Sequence, residues 1–314
     1  MPSVIAFLSR MSPDYQRPYL DALRRALPGE TIAPLAALSA SQREQVRVAV
    51  VANPDPADVA ALPGLLWIQS LWAGVESLVA ALGPGSPPIM RLIDPEMSRT
   101  MAEAVLAWTY YLQRDMPRYA RAQTQRVWAQ HPYRKPSQTH VGLLGLGELG
   151  QVAAARLREA GFVVRGWRRS PKTLDGIETF SGEDGLNAML GSSDIVVSLM
   201  PLTAQTRGML DAGRLARMKA GASLINFSRG PIVVTSALLD ALDRNHLSHA
   251  VLDVFDVEPL PVDSLLWSHP QVTVLPHISA PTDHETAAQV IARNLREFRE
   301  TGRIPGNVDL ARGY

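Results

Sequence analysis

Three ionisable side chains in the second half of the sequence each follow an apolar run that is typical of a buried strand. Arg229 lies in the segment NFSRG, Glu258 in LDVFDVEP and His277 in VTVLPHIS. Parallel strands end at one edge of an open α/β sheet, and such sheets bind their ligands there. A guanidinium, a carboxylate and an imidazole can together bind an anionic substrate and transfer a proton. Each residue alone also fits a surface ion pair or a turn, so the prediction depends on the combination.

A glycine-rich turn precedes these residues and predicts a dinucleotide site. Gly145, Gly147 and Gly150 form the pattern G-x-G-x-x-G. The pattern follows a predicted strand that begins at Thr139 and precedes a helix-forming run, as in a βαβ unit. Glycines there permit a tight turn and the close approach of backbone N–H groups to a pyrophosphate. The residues expected to bind the cofactor are therefore Gly145, Gly147, Glu148, Leu149 and Gly150.

The end of the next predicted strand indicates which cofactor is used. Sites that prefer NAD place an Asp or Glu about 20 residues after the turn, where it bonds the ribose 2′-hydroxyl. That place is occupied by Trp167, Arg168, Arg169 and Ser170, and the next acidic residue is Asp175. A guanidinium can bind a 2′-phosphate through paired hydrogen bonds. We therefore expect all four residues to contact the cofactor, with NADP(H) preferred and NAD(H) also accepted.

Strands and helices alternate along the chain and position these residues. Apolar runs predict strands at 3–8, 47–52 and 65–71, and again from Thr139 onward at 162–167, 194–200, 223–227, 250–255 and 272–275. Such alternation is typical of α/β proteins with parallel sheets. We predict two Rossmann-like, doubly wound domains with a cleft between them. Residues 1–98, completed by 285–314, form a flavodoxin-like substrate domain, and residues 99–284 form the NAD(P)-binding Rossmann domain.

The composition excludes several other classes of function. The 314 residues carry 31 basic and 30 acidic side chains, a net charge of +1, so no overall field favours nucleic acid or an anionic membrane. The chain has no cysteine, which excludes thiolate nucleophiles, disulfides and Cys-based metal sites. No signal peptide or apolar run of membrane-spanning length is present, and we expect no metal. A cytoplasmic enzyme of small-molecule chemistry is the resulting expectation.

The order of the motifs resembles that of the D-isomer-specific 2-hydroxyacid dehydrogenase family. The glycine-rich turn is followed by Pro-Leu-Thr at Pro201, with Thr206 close behind, and then by the segments that hold Arg229, Glu258 and His277. The similarity covers nearly the whole chain. Within the family, the Trp-Arg-Arg-Ser segment and the closing residues Ala311, Arg312, Gly313 and Tyr314 look most like the glyoxylate/hydroxypyruvate reductase A branch.

This resemblance implies the reduction of a small 2-oxo acid, such as glyoxylate or hydroxypyruvate, to the D-2-hydroxy acid. Arg229 would hold the substrate carboxylate and polarise the 2-oxo group. His277 would donate the proton, and Glu258 would pair with it and favour the protonated imidazole. Asp253 would bond the nicotinamide carboxamide, while Pro201 and Thr206 would line the cofactor groove.

The substrate side is specified less sharply. Trp72, Ala73 and Gly74 correspond to the family loop whose backbone N–H groups bind the substrate carboxylate. Many relatives carry Gly where Trp72 stands, so this indole can roof a small pocket, stack on an aromatic substrate, or belong to the core. A reductase of bulkier 2-oxo acids such as phenylpyruvate is therefore an alternative. A non-catalytic, dinucleotide-sensing corepressor-like module is another, which the intact Arg, Glu and His set disfavours.

The resemblance also implies a homodimer formed through the cofactor domains. Trp128, in the segment before the Rossmann strand, can reach across such an interface or have an ordinary packing role.

Overall fold

The structure, a computed structural model, describes residues 3–306 and 308–309. The closing residues Ala311 to Tyr314, which carried part of the resemblance, lie outside the described residues. The chain forms two compact units. The first unit contains the residues up to Met97 and those from Thr282 onward, and the second unit is the intervening Ser98–Pro281.

The first unit is built on a five-stranded parallel sheet in the order β2-β1-β3-β4-β5, the flavodoxin-like order. Its strands are β1 (Val4–Ser9), β2 (Thr31–Pro34), β3 (Val48–Ala52), β4 (Trp67–Ser70) and β5 (Ile89–Met90). Its helices are α1 (Pro13–Ala26), α2 (Ala40–Gln45), α3 (Pro56–Ala60) and α4 (Glu76–Leu82), and α11 (His284–Thr301) joins them from the far end of the chain. Strands β1 and β3 are almost wholly buried, because they are covered on both faces, as continuous apolar runs predict.

Helix α11 is bonded firmly into the first unit. The carboxylate of Asp283 caps it by accepting the N–H groups of Glu285 and Thr286, and Gly302 ends it in the left-handed conformation. The helix packs on α1. Its buried Asn294 donates to the side-chain oxygen of Gln69 at 2.9 Å. Because an unpaired buried amide is costly, this bond fixes the helix against β4.

The second unit contains a seven-stranded parallel sheet in the order β12-β11-β10-β9-β6-β7-β8. Its strands are β6 (His140–Leu144), β7 (Val163–Trp167), β8 (Glu178–Phe180), β9 (Ile195–Ser198), β10 (Ala222–Asn226), β11 (Leu247–Leu252) and β12 (Val272–Val274). The helices are α5 (Pro95–Gln113), in which the boundary between the units falls, α6 (Met116–Thr124), α7 (Glu148–Glu159), α8 (Gly182–Ser192), α9 (Ala212–Arg217) and α10 (Thr235–Asp243). The strand order reverses between β6 and β9, which is the ligand-binding position of doubly wound sheets.

Two parallel-sheet α/β units are therefore present, and the predicted fold class is confirmed. Short strands β2, β5 and β8 were not predicted. Strand β11 begins and ends three residues earlier than the predicted 250–255, because the chain leaves the sheet at Asp253. Among the described residues, no helix is long and apolar enough to cross a membrane.

Asp194 ties the amino ends of two strands together at the edge of the second sheet remote from the glycine-rich turn. Its carboxylate accepts the His140 N–H at 2.9 Å and pairs with Lys219 at 2.6 Å and Arg134 at 3.1 Å. Burial raises the pKa of this carboxyl, but the three hydrogen bonds outweigh that effect and hold the pKa below its ordinary value. Asp194 is thus a stabilising anchor of the sheet.

His249 on β11 is a buried, neutral imidazole. It is 4% exposed, and its Nε2 lies 2.9 Å from the Thr273 hydroxyl. Burial, with the nearby positive charges of Arg121 and His269, lowers the pKa of His249 from 6.5 to about 4.

We predict that this depressed pKa makes the fold acid-sensitive. Between about pH 6.5 and pH 4 the unfolded chain binds a proton at His249 that the folded chain does not, so stability falls as pH falls through this window, by about 3 kcal/mol in full. Urea unfolding at pH 7 and pH 4.5 measures the loss. His249→Gln keeps a partner for Thr273 and should lose clearly less stability on acidification; equal losses in the two proteins would contradict the assignment.

Candidate active site

The glycine-rich turn joins β6 to α7 with the geometry of a phosphate-binding loop. Gly145 has a φ of +100°, which a residue with a side chain rarely adopts. At Gly150 a Cβ atom would collide with the carbonyl oxygen of Gly145. Gly147 is the N-cap of α7, whose first turn begins at the exposed Glu148, and the N–H groups of a first helical turn have no acceptor within their own helix. The turn can therefore hold the pyrophosphate of a dinucleotide.

The end of β7 provides positive charge beside this turn. The backbone N–H of Arg168 donates to Phe180 O at 3.0 Å, which fixes the residue against β8. The side-chain Nη1 of Arg168 is buried and has no hydrogen-bond partner among the described residues. Arg169 and Ser170 are exposed. A buried guanidinium nitrogen without an acceptor fits an anionic ligand that completes its hydrogen bonding.

The other predicted cofactor residues support the loops around the turn. Trp167 is buried in the core and its indole N–H donates to Gly182 O at 2.9 Å, so only its backbone remains near the turn, where its carbonyl accepts from Gly145 N. The Thr206 hydroxyl donates to Pro201 O at 2.7 Å, which holds the loop after β9 in a tight turn. Leu149 is half-buried on α7.

Glu258 and His277 form a hydrogen-bonded pair. Their side chains come from the segments after the adjacent strands β11 and β12, and His277 Nδ1 lies 2.8 Å from Glu258 Oε2. The second carboxylate oxygen, Oε1, accepts the backbone N–H of Phe255 at 2.9 Å. The His277 side chain is 53% exposed and the Glu258 side chain is 36% exposed. Since Nδ1 faces the carboxylate, Nε2 is the nitrogen left to meet a substrate.

Arg229 follows β10, the next strand of the sheet, and is supported by a buried polar network. The Asn226 side chain donates to Arg229 O at 3.1 Å and accepts the Ser228 hydroxyl at 2.6 Å. Ser228 Oγ also lies 2.8 Å from Ser198 Oγ on β9. The guanidinium itself donates to Ser228 O at 2.7 Å. Neither Asn226 nor Ser228 was predicted as a site residue, although polar residues at the end of an apolar strand are a usable signal.

Asp253, the first residue after β11, has a contact that the sequence did not predict. Its Oδ1 accepts the N–H of Ile278 at 2.7 Å and its Oδ2 accepts the N–H of Ser279 at 2.9 Å. The side chain therefore binds the backbone directly after His277.

Trp72, Ala73 and Gly74 follow β4 in the first unit and are all half-buried. The Trp72 ring meets Tyr19 edge-on, with the ring centroids 5.9 Å apart. The Trp72 carbonyl accepts the N–H of Leu92 at 3.0 Å, which fixes the loop. Burial, and secondarily the negative charge of Asp283, raise the pKa of Tyr19, so its hydroxyl remains a proton donor to Thr282 O.

The second unit therefore combines a dinucleotide-binding turn with an acid–base pair at the carboxyl ends of its strands, which defines a protein of the nucleotide-dependent dehydrogenase class. A family model described as "D-isomer specific 2-hydroxyacid dehydrogenase, NAD binding domain" matches residues 106–279. The chain belongs to the D-isomer specific 2-hydroxyacid dehydrogenase family, an enzyme family of oxidoreductases, as the motif order predicted.

Relatives of known sequence or structure cover nearly the same length. A glyoxylate/hydroxypyruvate reductase A from Yersinia enterocolitica is 36% identical over 273 residues, 85% of this chain and 87% of the relative. A D-isomer specific 2-hydroxyacid dehydrogenase from Xanthobacter autotrophicus Py2, solved with NADPH and MES, has a TM-score of 0.92 at 40% identity over the whole of both chains. An NADPH-dependent glyoxylate/hydroxypyruvate reductase from Sinorhizobium meliloti, solved with NADP and sulfate, has a TM-score of 0.91 at 30% identity, covering 99% of this chain and 100% of that one.

Proposed function

We propose that this chain is an NADPH-preferring reductase that converts a small 2-oxo acid, glyoxylate or hydroxypyruvate, to the D-2-hydroxy acid. The observation that carries the proposal is the Glu258–His277 pair, which leaves Nε2 available for a substrate at the carboxyl edge of the dinucleotide-binding sheet. The relatives named for this activity, at 34–38% identity over most of the chain, support the choice of substrate.

Proton transfer is assigned to His277. When bound, the reduced nicotinamide supplies a hydride to the 2-oxo carbon. The imidazolium donates its Nε2 proton to the carbonyl oxygen, which becomes the hydroxyl, and the ring is left neutral. Glu258 keeps Nδ1 protonated and offsets the positive charge of the ring before transfer. In the oxidative direction the neutral ring accepts the proton back.

Arg229 is assigned to the substrate. A guanidinium binds a carboxylate through two parallel hydrogen bonds, and it also stabilises the negative charge that develops on the carbonyl oxygen. The buried network of Asn226, Ser228 and Ser198 holds the Arg229 backbone in place. The first unit forms the substrate domain in this proposal, and Trp72, Ala73 and Gly74 are its proposed substrate-binding residues, through their backbone N–H groups.

The cofactor preference rests on the end of β7. The partnerless Nη1 of Arg168 fits the 2′-phosphate, and Arg169 and Ser170 would add a second charge and a hydroxyl. Structures of relatives from Xanthobacter autotrophicus and Sinorhizobium meliloti hold NADPH or NADP.

Arg168→Asp should raise the KM for NADPH by about 100-fold, since a charged hydrogen-bond network to phosphate is lost and a repulsive charge is introduced. The KM for NADH should change by less than about threefold, because no 2′-phosphate is present. Arg156→Asp on the exposed face of α7, which makes the same change in net charge, is the matched control. Equal Michaelis constants for the two cofactors in the unmodified enzyme would defeat the proposed preference.

The proposed reaction is tested by the loss of NADPH absorbance on adding glyoxylate or hydroxypyruvate. A second candidate is the reduction of bulkier substrates, because the edge-on pair of Trp72 and Tyr19 offers an aromatic surface. Initial rates across glyoxylate, hydroxypyruvate, pyruvate and phenylpyruvate separate the two. Highest kcat/KM with phenylpyruvate would favour the second candidate, and no oxidation of NADPH with any 2-oxo acid would refute both.

The chain is further proposed to act as a homodimer through its cofactor units. Trp128 is 95% exposed, and it lies beside the exposed Val127 and near the exposed Tyr133 in the segment between α6 and β6. Large exposed apolar side chains clustered in one segment are typical of an interface. Analytical ultracentrifugation of the unmodified chain and of Trp128→Ala tests the assignment, and a stable, active monomer in the unmodified protein would remove it.

A further inference from the structure

The turn that carries His277 has a strained backbone. His277 has a φ of +54°, in the left-handed region that non-glycine residues seldom occupy. Such a conformation persists only where surrounding contacts impose it. Directly after His277, the backbone N–H groups of Ile278 and Ser279 both donate hydrogen bonds to the Asp253 carboxylate.

Asp253 is placed to impose that conformation. It is 2% exposed, and its own N–H donates to Asn226 O at 3.1 Å, so the residue is fixed to the neighbouring strand end. Each of its two carboxylate oxygens takes one N–H, and bonds to an ionised acceptor are stronger than those between neutral groups. This arrangement requires the two oxygens of a carboxyl group, because an amide side chain has only one oxygen to offer.

The same short segment also anchors the partner of His277. Three residues before Glu258, the N–H of Phe255 binds Glu258 Oε1 and so directs Oε2 toward the imidazole. Within residues 253–258, Asp253 therefore fixes the backbone that follows His277, and the Phe255 N–H fixes the Glu258 carboxylate.

We propose that Asp253 is a positioning residue that acts through His277, fixing the left-handed turn so that Nε2 points at the reacting carbonyl. This inference rests on the proposed function. It differs from the role that the family resemblance implied, a hydrogen bond to the nicotinamide carboxamide.

The test is a double-mutant cycle between Asp253→Asn and His277→Asn. Asp253→Asn alone should lower kcat by about 100-fold, because a misplacement of about 1 Å has that cost, while the Kd for NADPH, measured by fluorescence, stays within about threefold. In the His277→Asn background, the added Asp253→Asn change should lower the residual kcat by less than about threefold, since there is no imidazole left to position. A full 100-fold loss in both backgrounds would overturn the inference.

Asp194→Asn is the matched structural control. Asp194 is also a buried carboxylate that accepts a backbone N–H next to a strand, but it lies at the amino edge of the sheet. It should lower the unfolding midpoint without changing kcat. If Asp194→Asn reduced kcat as much as Asp253→Asn does, loss of packing rather than positioning would explain both, and the inference would fail.

A cofactor analogue separates the two roles of Asp253. 3-Acetylpyridine adenine dinucleotide phosphate, in its reduced form, lacks the amide N–H groups that a carboxylate could bind. If Asp253 acts only by positioning His277, the ratio of kcat/KM for NADPH to kcat/KM for the analogue is the same in the unmodified enzyme and in Asp253→Asn. A ratio that falls about tenfold or more in the variant would assign Asp253 to the carboxamide instead. Separately, a His277→Asn variant with the unmodified kcat would refute the proposed function itself.

Discussion

Replacing His277 by Asn should lower kcat for 2-oxo acid reduction by about three orders of magnitude, the range expected when a general acid is removed. Asn is the appropriate replacement because it tolerates a positive φ, so the turn at +54° can persist without an imidazole. The measurement is NADPH oxidation at saturating 2-oxo acid, with the enzyme at high concentration to detect the residual rate.

Control measurements distinguish a loss of proton transfer from a loss of folding or of cofactor binding. The unfolding midpoint and the Kd for NADPH should both be unchanged in His277→Asn, because the side chain is half-exposed and its hydrogen bond to Glu258 contributes little to stability. Glu258→Gln, which keeps a hydrogen-bond acceptor but removes the charge, should lose less activity than His277→Asn. A His277→Asn enzyme with more than about a tenth of the unmodified kcat would contradict the assignment.

The pH dependence has opposite signs in the two directions of the reaction. Reduction needs the protonated imidazole, so its kcat/KM falls as pH rises and the ring loses its proton. Oxidation of the 2-hydroxy acid needs the neutral ring, so its kcat/KM rises over the same interval. Both profiles should flatten in His277→Asn. Parallel profiles in the two directions would refute proton transfer by His277.

Replacing Arg229 by Gln should reduce kcat/KM for the 2-oxo acid by about 1000-fold, because the substrate carboxylate loses its paired, charged hydrogen bonds and the developing charge on the carbonyl oxygen loses its counter-charge. Arg229→Lys should retain part of the activity, since it keeps the charge but not the forked geometry. A rise in KM reports carboxylate binding, and a fall in kcat reports polarisation of the carbonyl. Both are expected here.

The matched control for Arg229 is Arg244→Gln, an exposed arginine at the end of α10 whose ion pair with Asp240 lies on the surface. It should leave kcat/KM unchanged, since a surface pair contributes little. An Arg229→Gln enzyme within about tenfold of the unmodified kcat/KM would remove this residue from the mechanism.

The strands that the sequence predicts well are those buried on both faces. Strands β1 and β3 are almost continuous apolar runs because helices cover them on each side, and this composition is visible in the sequence itself. Strands β2, β5 and β8 have only two to four residues and lie at the sheet edges, and β2 and β8 also carry polar or proline residues, so the three strands have no comparable local signal. Their formation depends on pairing with neighbours that are already in place.

The site shows the same division between local and long-range information. The glycine-rich turn was predictable because Gly145 and Gly150 satisfy constraints within a few residues of each other. The bonds of Asp253 to Ile278 and Ser279 span 25 and 26 residues, and no spacing rule indicates them. The left-handed turn at His277 is likewise a product of tertiary contacts. The family resemblance therefore predicts which residues form the site, whereas the hydrogen bonds that position them are seen only in the structure.

The return of α11 to the first unit has a consequence for biosynthesis. A ribosome releases residues 98–281, a unit with its own sheet and core, before it releases the helix that the first unit still lacks. The nascent sheet of the first unit must therefore wait with one flank uncovered, and Gln69 without Asn294, until α11 has been translated. The first unit thus matures only after the second unit has been synthesised, and chaperone demand falls on the first unit rather than on the nucleotide-binding unit.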